Sequence, residues 1–430
     1  MKYDIFSGKA PAMPNPGKGT EIIRLCLSQV SPEMREAIAP MPFSAFASHL
    51  QGVKVMYCSN RFLELHGQIN HLIGSSGAGK DQLDKIVESI CRSFRAHDEI
   101  ELQKLVAYSA KPKKEREQTP KPVISCYFPP ADTTKPAFLL NAMACENESG
   151  HAQYLNLPEV EMLDGLCGGH KASGQTLINI HDVKRVGALR ATAEGVTGNP
   201  VIRADINISS TEEAARDYYK RDIRKGKVGR VSFAYKPRGE RKGKIPREGA
   251  YNENFQAELD KYLERLDKAK GSFIIKPLNK IADQLAEEMA KVADLTDDDT
   301  LFDLSHRCIL SAWKKGATLW IMNNQTWTHS IGEFVIWFCY FDLWSKMQVL
   351  GDMFKPGTTM ADVQKSGPKN MLTGLGASFS QADLEALRAQ MEKPVAGAKH
   401  QLDVWVNRGL ITYSAQTGLY TKTEKIQKRQ

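Results

Sequence analysis

The sequence predicts an α/β fold: a largely parallel sheet first, then a helical region, then a small C-terminal domain of helices and a hairpin. Three observations carry this expectation. A glycine-rich loop at 74–81 sits between an apolar run and a helical stretch. Strand-like runs alternate with helical ones as far as residue 247. Beyond that point apolar residues recur at spacings of three and four.

The loop reads Ile73-Gly74-Ser75-Ser76-Gly77-Ala78-Gly79-Lys80-Asp81 and has the Gly-x4-Gly-Lys spacing of a phosphate-binding turn. The run Ile69-Asn70-His71-Leu72-Ile73 predicts the strand before it, and Gln82-Leu83-Asp84-Lys85-Ile86-Val87 the helix after it. Glycines let backbone N–H groups turn inward around an anion, and a helix start adds partial positive charge. Gly74, Ser75, Ser76, Gly77, Ala78, Gly79, Lys80 and Asp81 are therefore the candidate ligand-binding residues, with Lys80 bridging the β- and γ-phosphates. Asp81 stands where Ser or Thr would hold Mg²⁺ through a hydroxyl. A carboxylate there can bind the ion but repels phosphate. The plain alternative is a Gly/Ser-rich surface turn.

Composition bounds the rest. A chain of 430 residues, 42% hydrophobic and 25% charged, has room for two or three domains and an ordinary globular core. Its eight Cys include no C-x-x-C pair and read as reduced packing residues of a cytoplasmic protein. The N-terminus carries no apolar signal core. The most apolar stretch, 331–350, contains Glu333, Asp342 and Lys346, which predicts a buried helix and no membrane span.

The net charge of +8 is concentrated. Residues 220–247 hold twelve Lys or Arg against two acids, so the remainder of the chain is slightly acidic. Such a window is the footprint of polyanion binding. Lys220, Arg221, Arg224, Lys225, Lys227, Arg238, Arg241, Lys242 and Lys244 are its nucleic-acid candidates; a solvated basic loop is the alternative.

Residues 1–20, rich in Gly, Pro and Lys, predict an extended arm, and helical pieces to residue 65 lead into the loop strand. Strands are expected at 123–128, 152–157, 176–180, 201–208 and 229–235. Helices are expected at 255–268, 275–292, 301–322 and 331–350, and Gly367-Pro368 marks a linker. In the tail, Ser380 is a candidate N-cap, a second helix covers 395–408, and strands at 409–413 and 419–422 flank Gln416-Thr417-Gly418. Helix, Arg408-Gly409-Leu410-Ile411, then hairpin resembles a winged helix, with Lys422, Lys425, Lys428 and Arg429 suited to phosphate contact.

Four segments in order carry a wider resemblance: 74–80; Pro130-Ala131-Asp132-Thr133-Thr134-Lys135; Glu159-Val160-Glu161-Met162-Leu163; and Gly229-Arg230-Val231-Ser232-Phe233. Through them the region 69–354 resembles the helicase-like P-loop ATPases that accompany primase modules in mobile elements and prophages, related to superfamily-three and AAA-type ATPases. The resemblance implies a P-loop NTPase core at 66–247, behind an arm and lead-in at 1–65. A helical domain at 248–366 and a winged-helix-like tail at 367–430 follow. It implies ATP and Mg²⁺ as cofactors and DNA, single-stranded or an origin-like duplex, as partner. It also implies a homo-oligomer such as a hexameric ring, with a primase or recombinase alongside.

Residue by residue, Glu159 falls at the acid that follows a hydrophobic strand and would polarise water or hold Mg²⁺, with Glu161 close by and Asp81 as a further metal ligand. Pro158 stands where many members have Asp. Asn207, Ser209 and Ser210 fall where a polar group senses the γ-phosphate, and Arg230 where a neighbour offers an arginine finger. Asp182 is a rival metal acid, and Arg307 a rival phosphate contact. Glu159 and Glu161 as decoration of a helix start, and Arg230 as one more member of the basic window, are the plainer readings.

Three functions remain open from the sequence. The leading one is an ATP-dependent, helicase-like DNA motor or replication initiator of a mobile element. The second is a DNA-binding or assembly protein with a degenerate nucleotide site. The third is an AAA-type regulator of a transposase or recombinase.

Overall fold

The computed structural model describes residues 2–58, 60–187, 196–220, 226–239, 249–296, 299–351, 371–390, 394–407 and 409–423. Short helices at Glu21–Cys26, Arg35–Ile38 and Phe43–Ser48 lead into strands β1 (Val53–Tyr57) and β2 (Arg61–Glu64), which pair antiparallel. The central sheet follows: β3 (Ile69–Gly74), β4 (Gln153–Leu157), β5 (Ala204–Ser210) and β6 (Ser232–Lys236). Its order is β4-β5-β3-β6 and every pairing is parallel. A short β7 (Gly271–Phe273) pairs in parallel with β1 in a separate three-stranded sheet. The chain is thus α/β, with a four-stranded all-parallel sheet.

Parallel strands need helical crossovers, and those helices bury the sheet. All six residues of β3 are buried, which is why it reads as a continuous apolar run broken only by Asn70 and His71. From β3 to β4 the chain runs through helices Gln82–Ile90, Arg92–Ala110, Lys113–Gln118 and Lys135–Glu148. Met162–Cys167 and His170–His181 link β4 to β5, and Glu212–Tyr219 links β5 to β6.

Two expected strands are not strands. The segment 123–128 bends at Tyr127 and Phe128 and makes one backbone bond to β4, from the Tyr154 N–H to the Tyr127 carbonyl (2.7 Å), but forms no ladder, because side chains take its N–H groups. Asp98 accepts from the N–H groups of Tyr127 (2.8 Å) and Phe128 (2.6 Å), and Asn141 brackets Cys126 with bonds of 2.7 and 2.9 Å. The segment 176–180 is the last part of the helix His170–His181. Its buried Leu177 and Ile180 are three apart, a spacing that a short β-branched run does not distinguish from alternation.

Four long helices, Glu253–Lys268, Lys276–Thr296, Asp299–Met322 and His329–Leu350, form where they were expected. The last is apolar on every side, and it is buried against its neighbours and β6. No helix among the described residues is long and apolar enough to cross a membrane. Inside it, Asp342 pairs with Lys346 at 2.9 Å and accepts the Phe233 N–H at 2.8 Å, tying the helix to β6. One hydrophobic cluster runs from Ile5 to Leu350, so the α/β and helical parts share a core.

The N-terminal arm is stitched onto this helix. Ile5 is buried, the Ser7 carbonyl accepts from Trp344 Nε1 (2.8 Å), the Pro11 carbonyl from Trp337 Nε1 (2.9 Å), and the Lys18 carbonyl from Thr328 (2.7 Å).

The tail has its own core of Met371, Leu372, Leu384, Leu402, Trp405 and Ile411. Helices Gln381–Gln390 and Ala398–Asn407 pack beside an antiparallel sheet of β8 (Ser378–Phe379), β9 (Ile411–Ser414) and β10 (Leu419–Lys422), in the order β8-β10-β9. Ser380 caps the first of these helices. Its hydroxyl accepts the Asp383 N–H at 3.3 Å, while the Asp383 carboxylate accepts the Ser380 N–H at 2.7 Å. The expected linker at 367–368 and the basic end at 425–429 lie outside the described residues.

Candidate functional site

Because the central strands are parallel, all four carboxyl ends lie on one edge, at Gly74, Leu157, Ser210 and Lys236. The connection leaving β3 passes over β5 to reach β4. The connection leaving β5 passes over β3 to reach β6. Neighbouring strands whose connections depart in opposite directions open a crevice beyond their carboxyl ends, and ligands of open α/β sheets bind there.

The glycine loop fills that position. Gly77 (φ +73°) and Gly79 (φ +84°) take the left-handed conformation that side chains resist, so the loop can double back. The Ala78 N–H closes on the Ser75 carbonyl at 3.2 Å, and the helix Gln82–Ile90 starts one residue past Asp81. Lys80 folds over the loop and donates to the Gly74 (3.1 Å) and Ser75 (3.0 Å) carbonyls. Burial lowers its pKa, while Glu159 and Asp81 pull it back up. Lys80, Asp81 and Glu159 therefore share one electrostatic neighbourhood, although they lie on two separate loops.

Glu159 and Glu161 are exposed on the turn that leaves β4, and Glu161 is the residue before the helix Met162–Cys167. Asp81 is exposed and its carboxylate caps no N–H. Among the described residues, no cluster of three or more His, Cys, Asp or Glu is arranged to hold a metal ion by itself. Beneath the loop, burial and Lys80 push His71 down to about 3, so the imidazole is neutral. Its nitrogens meet Ser210 Oγ (2.8 Å), at the end of β5, and Tyr219 Oη (3.1 Å).

Other expected site residues are placed elsewhere. Asn207 pairs in register with Asn70, four positions before Gly74, which is about 13 Å back along the strand. It is buried mid-sheet, accepting from Ser44 (2.7 Å) and donating to Tyr154 (2.9 Å), so it does not reach the loop. Arg230 precedes β6 and lies at the amino edge, opposite the loop. Its side chain is 12% exposed, donates to the Gly226 carbonyl (2.9 Å) and faces Asp182 (3.6 Å). Asp182 ends a helix that has returned to the amino edge, so it is no partner for the loop. Burial would raise its carboxyl, but His181, Lys184 and Arg230 hold it well below the usual range. Arg307 packs on Gly229 beside Arg230 and is equally remote.

The described members of the basic window, Lys220, Lys227, Arg230, Lys236 and Arg238, do not share one surface. Lys227 is buried, its ammonium 3.9 Å from the Tyr218 ring centre. Lys220 is exposed and pairs with Asp217 at 2.7 Å, at the end of the helix that returns to the amino edge. Arg238 is exposed just past β6, on the carboxyl edge. Arg221, Arg224, Lys225, Arg241, Lys242 and Lys244 lie outside the described residues.

Three contacts at the loop were not anticipated. Asn156 of β4 donates to Asp84 in the first turn after the loop (2.8 Å). Gln82 and Ser31 bond reciprocally at 2.8 and 3.2 Å, anchoring that helix start on the lead-in segment. Lys236 ends β6 in register with Gly74. The signal for Lys236 was its place at the end of an apolar run, masked by the eleven other cations of its window. No protein-family model and no curated protein sequence matches this chain.

Proposed function

We propose that the chain is a P-loop NTPase that binds ATP at 74–81 and works as a helicase-like DNA motor or replication initiator of a mobile element. The observation that carries the reading is the placing of Lys80. It lies on a glycine loop between a buried parallel strand and a helix start, with Glu159 from the end of another strand of the same sheet in electrostatic reach. The Lys80 ammonium holds two carbonyls of its own loop, contacts that a phosphate oxygen would replace with a charge-assisted bond.

Mg²⁺ is commonly bound through one or two carboxylates plus the substrate phosphates. Asp81 and Glu159, exposed and near Lys80, fit that role, and the ion would neutralise charge on the phosphates. Glu159 would orient the attacking water. The tail, with two helices and a three-stranded antiparallel sheet, suits a winged-helix DNA contact.

The test is a DNA-stimulated ATPase assay on wild type and Lys80→Ala. We expect the variant to lose at least about a hundredfold in turnover. Equal rates would overturn the reading. One observation favours a second reading, a DNA-binding protein that holds nucleotide without turning it over: the free, exposed Asp81 carboxylate beside the loop. It predicts nucleotide binding lost in Lys80→Ala, no turnover in wild type, and DNA binding intact in both.

A further inference from the structure

Lys236 shares the edge of the sheet with the glycine loop. In register with Gly74, it lies one strand spacing away, about 4.8 Å, and paired residues direct their side chains to the same face. That face is the loop's. A Cβ built on Gly74 would lie 3.4 Å from Lys236 Cβ and 3.7 Å from Ala78 Cβ, so Lys236 and the loop's Ala78 flank the same point. Among the described residues Lys236 has no ion-pair partner and no hydrogen-bond acceptor, and it is only half-buried. Lys80, by contrast, is tied to its own loop through two carbonyls.

We infer that Lys236 is a second phosphate-binding cation of the site, reaching across from β6 to the outer phosphates of a nucleoside triphosphate. The inference rests on the nucleotide reading above. A flexible four-carbon stem carrying a compact charge suits the end of a polyphosphate, whose position shifts as phosphates are lost. It also explains why position 74 is glycine. A side chain there would fill the space between the stem and the loop.

The test is titration of a fluorescent ATP, ADP and AMP series into the full chain as wild type, Lys236→Gln, Lys236→Arg and Lys80→Ala. Loss of one charged contact to phosphate is expected to weaken ATP binding by Lys236→Gln about tenfold or more, with a smaller loss for ADP and none for AMP. Lys236→Arg should recover most of the affinity, and the melting temperature of the glutamine variant should match the wild type.

If wild type binds no nucleotide, the nucleotide reading itself fails and this inference with it. If wild type binds but Lys236→Gln matches it across the series, only the role of Lys236 is overturned. An equal loss for all three nucleotides would assign Lys236 to packing and overturn it too. Should Lys236→Gln not fold, acylation of wild-type lysines with an amine-reactive ester decides the matter. ATP but not AMP should protect Lys236, and unchanged labelling of Lys236 in the presence of ATP overturns the inference.

Discussion

The two edges of the central sheet differ in how their charges are met. At the amino edge Asp205, Arg203 and Lys314 all have partners within the chain. Asp205 accepts from the Gln68 N–H (2.9 Å), His66 Nδ1 (3.0 Å) and Ser48 (3.2 Å). Arg203 grips Glu64 with two bonds, 2.7 and 3.1 Å. Lys314 is fully buried there, donating to the His66 and His181 carbonyls. At the carboxyl edge Asp81 and Glu159 are exposed, Lys80 holds only its own loop, and Lys236 ends its strand without an ion pair among the described residues. Charges satisfied within the chain stabilise the fold, and charges left without partners are available to a ligand. Arg230, which the resemblance implies as a finger for a neighbour's site, is held within its own chain at this edge by the Gly226 carbonyl and Asp182.

Removing a buried, triply bonded carboxylate should have the largest effect. Asp205→Ala leaves the Gln68 N–H and His66 Nδ1 without their acceptor, leaves Ser48 only the Ser44 carbonyl, and takes a countercharge from Lys314, so we expect a loss of about 3–5 kcal/mol in urea unfolding. A loss below about 1 kcal/mol would dissolve the contrast between the edges.

A smaller effect should appear as a pH dependence. Burial pushes Lys314 down to about 8, whereas an unfolded lysine titrates near 10.4. Between these values the unfolded chain holds the proton that the folded chain has released, so stability attributable to this group rises with pH. Wild type should gain on the order of 1 kcal/mol relative to Lys314→Met between pH 8 and 9.5. Parallel profiles for the two proteins would mean that Lys314 is not desolvated as the structure has it.

The smallest effect on stability belongs to the other edge. Glu159→Gln changes an exposed carboxylate and should alter stability by no more than about 0.5 kcal/mol. Turnover of ATP should nevertheless fall about a hundredfold or more. Thermal unfolding and steady-state hydrolysis measured on the same preparation check both halves. A destabilised but fully active variant would reverse the assignment of the two edges.

The long helices were legible because three-and-four periodicity persists in segments such as 275–292, and because an apolar run as long as 331–350 exceeds the length of a strand. Short runs were not. The segment 123–128 has strand composition, but Asp98 and Asn141, distant in sequence, take its N–H groups before another strand does. The loop 74–81 was legible because its glycines and lysine are contiguous. Lys236 and Asn156 were not, since their nearness to the loop is a consequence of strand order. Asn207 was misplaced for the converse reason. The expected strand 201–208 would have ended next to it, whereas β5 extends to Ser210 and carries that position into the middle of the sheet.

The stitching of the arm to the helix His329–Leu350 sets a timetable for folding. Pro11 and Ser7 meet Trp337 and Trp344 across separations of 326 and 337 residues. At the pace of translation, roughly 5–20 residues per second, the arm waits on the order of half a minute for its partner to be made. During that interval Ile5 has no place to bury. The three tryptophans of the third and fourth long helices that lie deepest in the core, Trp313, Trp337 and Trp344, are not yet enclosed. Closure of the core is therefore a late event, and a nascent chain halted before residue 337 would expose its first residues to any chaperone that captures apolar segments.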